Sequence, residues 1–373
     1  MRVAINTIYS SNENPVGDTR FVQQLVEQLI QGHPEHEFIL LQNREQQDTR
    51  TNVTRVPVAY KDKNPIRLKF WYDFQLPAAL RSFSPDVLIQ PYGICSLGTK
   101  IPQVLIVQDL LFRDHPQWVE QPYRWLYKRF TAKFLKKAAK VLAASGSLEQ
   151  KIGDIYLGVE KMTVIPAGCS PLFKPVTDEE ERQEIKDIYA DGREYFLFTG
   201  GLHPVNNPMT VLKAFSVFKK WQQSNMKLVM VNQPATINTI TEKLSTYKYR
   251  DDVILLDSLK EKELALVTAA SYASIQYSFF ENRLLPVIEA MRSEVPVIAS
   301  DTAGIRETGG DAILYGNAND HEALANHMIL LYKDEQLRKR LIVKGAERAS
   351  AFNWEGSAAL LWNSIEEAAA GNR

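Results

Sequence analysis

The sequence predicts an α/β protein built as two successive doubly wound domains. Three observations carry that reading. Short apolar runs of strand length alternate with stretches of helical periodicity along almost the whole chain, as parallel strands joined by crossover helices require. At 373 residues the chain suits two cores of ordinary size rather than one. A polar stretch with two prolines and an acidic run, Pro171 to Glu181, separates the two series.

In chain order, Val3–Ile5 reads as the first strand and Asn14 to Asp18 as a turn. Phe21, Leu25, Leu29 and Ile30 then repeat at helical spacing. Phe38–Leu41, Asp86–Ile89 and Val104–Val107 are buried strands, the last running into Gln108-Asp109. Val141–Ala144 ends at Ser145, a candidate cap for the helix carrying Leu148 and Ile152. Thr163–Pro166 leads to Ala167-Gly168-Cys169. The second series opens with Phe196–Thr199 and Gly200-Gly201. It continues through a helix of Val211, Leu212, Phe215 and Phe218 and strands at Leu228–Val231 and Val253–Leu256. The expected domains are residues 1–175 and 176–350, with a closing helix in 351–373.

Composition excludes several classes. Hydrophobic residues make up 45% and charged residues 24%, ordinary for a globular chain. Net charge is zero and the pI about 7.0, so no global field recruits nucleic acid. Cys95 and Cys169 are the only cysteines, which argues against a disulfide framework and fits a reducing cytoplasm. MRVAINTIYSS is too short and polar for a signal peptide. No run of about 18 apolar residues exists to span a bilayer.

The stretch Tyr272 to Asp301 concentrates the chemistry. It reads strand (Ala273, Ile275, Tyr277), loop (Ser278-Phe279-Phe280), helix from near Leu285-Pro286, then strand (Pro296–Ala299). Proline suits a first helical turn, where its missing N–H costs nothing. Glu281 falls in the loop and Glu289 a turn into the helix. Two carboxylates so placed suit a hydroxyl-rich ligand, with free helix N–H groups facing a phosphate. They also fit a surface acid and a helix-stabilising glutamate, and spacing leaves both open.

This segment resembles the E-x7-E motif of retaining GT-B glycosyltransferases of the family 4 type, E-G-F-G-L-P-x-x-E-A-M-A-x-G-x-P-V-I-A. The matching residues are Glu281, Leu285, Pro286, Glu289, Ala290, Met291 and Pro296–Ala299. Asn282, Leu284 and Glu294 stand at the glycine positions and Arg283 at the phenylalanine. The resemblance extends to Val104–Leu111, AAKVLAAS (138–145), TVIPAGCSPLF (163–173), Phe198–Phe215 and ETGGDAILY (307–315). The tail AFNWEGSAALLWNSIEEA is similar to the family's closing helix, which crosses back onto the N-terminal domain.

The resemblance implies a GT-B fold, two Rossmann-like domains facing across a cleft, acceptor on the N-terminal side and donor on the C-terminal. It implies Glu289 on the nucleotide ribose, Glu281 on sugar hydroxyls, and backbone near Asn282, Arg283, Leu284 and Leu285 on the phosphates. The basic pair that neutralises the leaving diphosphate falls on Val205 and Asn206, so two positive charges are missing there. Arg283 is the nearest substitute, with Arg306 and His203 as further candidates. Gly200-Gly201 can form a turn that lets backbone approach a ligand. Gly17 and Arg20 keep the leading-loop pattern, where Arg20 reaches a ligand or is a first-turn surface residue. Gln108-Asp109 replaces His-Asp. Gln108 can donate a hydrogen bond but cannot shuttle a proton, and Asp109 orders the loop rather than reacts.

No Asp-x-Asp triplet occurs, so metal-independent transfer is expected. No cofactor is expected either, the nucleotide-diphosphate sugar being a co-substrate. His321 and His327 cannot share a helix face and read as solvated. Tyr123 to Lys140 is a basic, aromatic, amphipathic helix that fits a core helix with solvated lysines or peripheral contact with an anionic membrane. The expected function is transfer of sugar from a nucleotide donor to a saccharide or lipid-linked acceptor in surface polysaccharide or glycoconjugate synthesis. The expected location is the cytoplasm, at or near the inner membrane face. The other reading is an inactive GT-B-like partner of an active transferase, to which the replacements at Gln108, Val205, Asn206, Asn282 and Leu284 point. A sugar-nucleotide epimerase on the same fold lacks a visible acid–base pair.

Overall fold

A computed structural model describes residues 1–9, 18–43, 48–58, 64–159, 162–232, 244–279 and 284–371. Its internal contacts divide the chain into Met1–Ala167 with Trp354–Arg373, and Gly168–Asn353.

The first unit is a seven-stranded sheet: β1 (Arg2–Asn6), β2 (Glu37–Gln42), β3 (Val53–Pro57), β4 (Val87–Gln90), β5 (Gln103–Val107), β6 (Lys140–Ala143) and β7 (Met162–Val164). The strands are parallel, in the order β3-β2-β1-β4-β5-β6-β7. Val3 sits opposite Phe38 on one side and Val87 on the other, which makes β1 and β4 the pair where strand order reverses. Central strands are covered on both faces, so Val3–Ile5 and Val87–Ile89 are fully buried and read as continuous apolar runs. Ser145 caps the helix Gly146–Ile155, its Oγ accepting from the Leu148 N–H at 3.2 Å.

The helix Trp354–Ala370 belongs to this unit and packs on the helix Asp18–Gly32. Trp354 meets Phe21 edge-on, ring centroids 5.5 Å apart. Ser357 Oγ donates to the Pro166 carbonyl at 2.7 Å, and Lys140 pairs with Glu367.

The second unit is a six-stranded parallel sheet: β8 (Tyr195–Phe198), β9 (Lys227–Val231), β10 (Val253–Leu256), β11 (Ala273–Gln276), β12 (Val297–Ser300) and β13 (Leu314–Gly316). Its order is β10-β9-β8-β11-β12-β13, so the reversal falls between β8 and β11. Phe196, Phe215, Phe218, Ile275 and Met328 pack in the core under one face.

Sequence reading misses two strands, both at sheet edges. Val53–Pro57 exposes part of its length and carries Thr54 and Arg55. Leu314–Gly316 is three residues long and half-buried. The helices through Pro65–Leu80 and at Glu261–Ala269 are also additions. The junction precedes the polar stretch after Pro171, and part of that stretch is helical. Asp178 caps Glu179–Tyr189, accepting from the Glu180 N–H at 2.8 Å.

Truncating Phe21 to Ala should remove the ring that Trp354 leans on, at about 3–5 kcal/mol for a buried phenylalanine. Hydrogen exchange should show faster amide exchange across Trp354–Ala370 than in wild type, with the strands of the second unit unchanged.

Candidate functional site

In the second unit the candidate residues follow the carboxyl ends of β8 and β11, the strands flanking the reversal, where doubly wound sheets bind ligands; in the first unit Gln108 and Asp109 follow β5, one strand beyond the reversal. In the second unit β8 leads into Thr199-Gly200-Gly201. Gly201 takes a φ of +71°, a left-handed conformation that costs residues with a Cβ about 1–2 kcal/mol. A Cβ on Gly200 would lie 2.7 Å from the Phe198 ring and 3.1 Å from the Asn206 Cβ. The turn is closed by Asn206, whose Nδ2 donates to the Gly200 carbonyl.

Val205 and Asn206, at the positions of the expected basic pair, lie on the single 3-10 turn Pro204–Asn206 and are both buried. His203 caps that turn, its Nδ1 accepting from the Val205 N–H at 3.2 Å. The Val205 carbonyl receives two bonds from the end of β11: Ser278 Oγ at 3.1 Å and the Phe279 N–H at 3.0 Å. Gln276 adds a tie one step back, Nε2 donating to Thr199 Oγ1 at 2.9 Å. The loop after β8 and the loop after β11 are thus fastened together at the point where the acidic loop begins.

Glu281, Asn282 and Arg283 lie outside the described residues. Leu284 and Leu285 open the helix Leu284–Arg292 and are buried. Glu289, a turn further on, is only 4% exposed. A helix-stabilising surface glutamate would sit in water. Its place among the buried residues of this helix excludes the solvated surface position that a helix-stabilising glutamate would take. Asn206 Oδ1, Ser300 Oγ and Thr302 Oγ1, all after β8 or at the end of β12, are buried without a partner among the described residues. Such atoms call for an explanation, and polar groups gathered at one sheet edge suit a polar ligand.

Arg306 is committed elsewhere. Its guanidinium forms a fork with Asp301, Nη2 lying 2.7 Å from Oδ2 and Nε bonded to Oδ1, and it stacks 4.5 Å from the Tyr315 ring centroid. That partner holds the Asp301 carboxyl below the usual range. His327 is half-buried, bonded through Nε2 to the Tyr315 carbonyl at 2.9 Å, and is therefore not the solvated residue its spacing suggested.

In the first unit Gln108 follows β5, buried, with Nε2 donating to the Pro91 carbonyl at 2.9 Å. It ties the β5 loop to the β4 loop. Asp109 Oδ1 accepts from the Leu111 N–H at 2.7 Å and so orders the loop. Arg20 is buried, 9% exposed in the first turn of the helix Asp18–Gly32, and is not a surface residue. Gly17 lies outside the described residues. Sequence reading also overlooked the polar chain beneath the β1 and β4 ends. Asn6 Nδ2 donates to Tyr72 OH (3.1 Å) and Gln90 Oε1 (3.0 Å), and Gln90 Nε2 donates to Gln103 Oε1 (3.2 Å). The signal was present: amides inside otherwise apolar strands.

Replacing Gly200 with Ala should push the Asn206 turn off Phe198 and loosen the Val205 bracket. Any ligand held by this edge should bind about tenfold or more weakly in calorimetry, while circular dichroism keeps the α/β content.

Comparison with known proteins agrees with this geometry. Residues 17–171 match the family described as Glycosyltransferase Family 4, and residues 179–348 match Glycosyl transferases group 1. The chain is 24% identical to O-antigen chain mannosyltransferase B of Escherichia coli, over 59% of this chain and 58% of that protein. The chain thus spans little more than half of that relative. It is 26% identical to MMP alpha-(1->4)-mannosyltransferase of Mycolicibacterium hassiacum over 96% of both chains. The structure of Anabaena HepE in complex with UDP-glucose superposes with a TM-score of 0.76, at 13% identity, over 98% of this chain and 99% of that one. With the two family matches falling one on each sheet and the fold shared end to end, the chain belongs to the family 4 type of GT-B glycosyltransferases.

Proposed function

We propose that the protein transfers a sugar from a nucleotide-diphosphate donor to a saccharide or lipid-linked acceptor, with retention at the anomeric carbon and without a metal ion, in surface polysaccharide or glycoconjugate synthesis. The observation that carries this reading is the burial of Glu289 in the helix that follows, in sequence, the two loops joined at the Val205 carbonyl. A carboxylate so withdrawn suits the hydroxyls of a ribose. The Gly200-Gly201 turn and the first turn of the helix Leu284–Arg292 offer backbone to a diphosphate. Two mannosyltransferases among the relatives make mannose the first donor sugar to try. Charge developing on the leaving diphosphate needs a cation. Val205 and Asn206 carry none and Arg306 is paired with Asp301, so Arg283 is the residue assigned to that role.

The acceptor side supports a membrane-borne substrate. The helix Gln121–Lys137 buries Leu126, Phe134 and Leu135 while Lys128, Arg129, Lys133, Lys136 and Lys137 stay exposed. Beside it the helix beginning at Pro65 leaves Ile66, Phe70 and Phe74 from 54% to 66% exposed, and Trp125 adds 53%. Lys69 joins the two helices, its Nζ 5.0 Å from the Phe130 ring centroid. Burial, helped by Lys133, holds its pKa down to about 8. Apolar side chains ringed by lysines and arginines suit an anionic lipid surface.

In a thermal-shift screen of UDP-, GDP-, ADP- and dTDP-sugars, one donor should raise the melting temperature and then be hydrolysed. Glu289→Gln should keep the fold and lower turnover by about 100-fold. Excess EDTA should leave the rate unchanged, and the product should show the donor's anomeric configuration by NMR. Silence across the panel, with co-purification of another transferase, would favour the inactive-partner reading.

Flotation with vesicles should show binding to anionic but not neutral lipid. Lys133→Ala with Lys137→Ala should weaken it about 30-fold, at roughly 1 kcal/mol per charge.

A further inference from the structure

We propose that the turn His33-Pro34-Glu35-His36 is a binding site for a divalent transition metal ion, with zinc as its ligand of choice, held by His33, Glu35 and His36. The turn lies in the first unit, between the helix Asp18–Gly32 and β2, away from every residue assigned to sugar transfer. The His36 N–H donates to the His33 carbonyl at 3.2 Å, closing a four-residue turn whose first and last side chains start close together. Asn52 Nδ2 fixes the far end by donating to the His36 carbonyl at 3.1 Å.

Three donor atoms converge. Glu35 Oε1 lies 3.7 Å from His33 Nδ1 and 3.2 Å from His36 Nε2, and the ligand atoms of all three residues fall within 4.8 Å of one another. Around a tetrahedral zinc with bonds of about 2.0–2.2 Å, donors sit roughly 3.4 Å apart. Two of the three separations already match that geometry. The remaining contact at His36 is Nδ1 with the Met1 nitrogen at 3.0 Å, which leaves Nε2 turned toward the carboxylate.

The second observation is what holds the imidazoles. Both rings lie flat on the indole of Trp362: His33 at 3.8 Å and 16°, His36 at 4.6 Å and 19° between centroids and planes. Trp362 is itself buried in the helix Trp354–Ala370. Stacking fixes ring orientation before any ion arrives, as a preorganised site requires. Both histidine side chains are about one-fifth exposed and Glu35 is 60% exposed, so an ion has a path in and a fourth position for water. Two imidazoles and one carboxylate suit zinc, nickel or copper and give little to magnesium or calcium. Nothing here performs catalysis. The ion staples the turn to the face of Trp362.

The test is calorimetry of ZnCl2 into the full chain after EDTA stripping and dialysis. One equivalent should bind, MgCl2 should give no heat, and His33→Ala, His36→Ala and Glu35→Gln should each weaken zinc at least tenfold. Glu35 is exposed, so its variant folds whatever becomes of the histidines. NiCl2 should quench tryptophan emission, and Trp362→Phe should abolish the quenching. No zinc uptake, or one equivalent with unchanged affinity in all three variants, overturns the proposal.

Discussion

The Val205 carbonyl is the point on which the candidate donor site turns. It accepts from Ser278 Oγ and from the Phe279 N–H, and so couples the loop after β8 to the loop after β11 across the strand-order reversal. Parallel strands cannot be joined by hairpins, and their crossovers deliver loops of the same polarity to one edge. The bracket converts that general tendency into a fixed arrangement. Gly200 and Gly201 give Asn206 the room to close its turn, and the turn then presents its carbonyl to β11. The helix Leu284–Arg292 is the next described element, with Glu289 among its buried residues.

The same bracket explains what stands in place of the missing basic pair. Val205 and Asn206 are buried parts of a short 3-10 turn, so their contribution is to shape and to backbone. Neither side chain carries a charge. Arg306, which sequence order brings near, is spoken for by Asp301 and by the Tyr315 ring.

Much of this was legible in the chain. Buried parallel strands are nearly uniform apolar runs, and Val3–Ile5, Val104–Val107, Phe196–Phe198 and Val297–Ala299 announce themselves. Edge strands do not: Val53–Pro57 is mostly half-buried or exposed and mixes Thr54 and Arg55 with its valines. The family motifs located Glu289, but its burial needed the fold, since a glutamate one turn into a helix is as often solvated. Arg20 and His327 were misjudged for the same reason. A polar side chain that spacing puts on a helix surface can be drawn in by a neighbouring strand, as the Tyr315 carbonyl of β13 draws in His327. The His33, Glu35 and His36 turn carried a readable spacing. Its meaning came only with Trp362, more than three hundred residues away.

The helix Trp354–Ala370 rests on Phe21 and Pro166 while the whole second sheet lies between them in sequence. During synthesis on the ribosome, the first sheet therefore emerges long before the element that covers its leading helix. Apolar surface around Phe21 stays open until the second sheet has been made. Nascent chains of this design have a long window in which that patch is available to chaperones or to a neighbouring polysome. Expression should be more sensitive to translation rate than the size of either sheet alone would suggest.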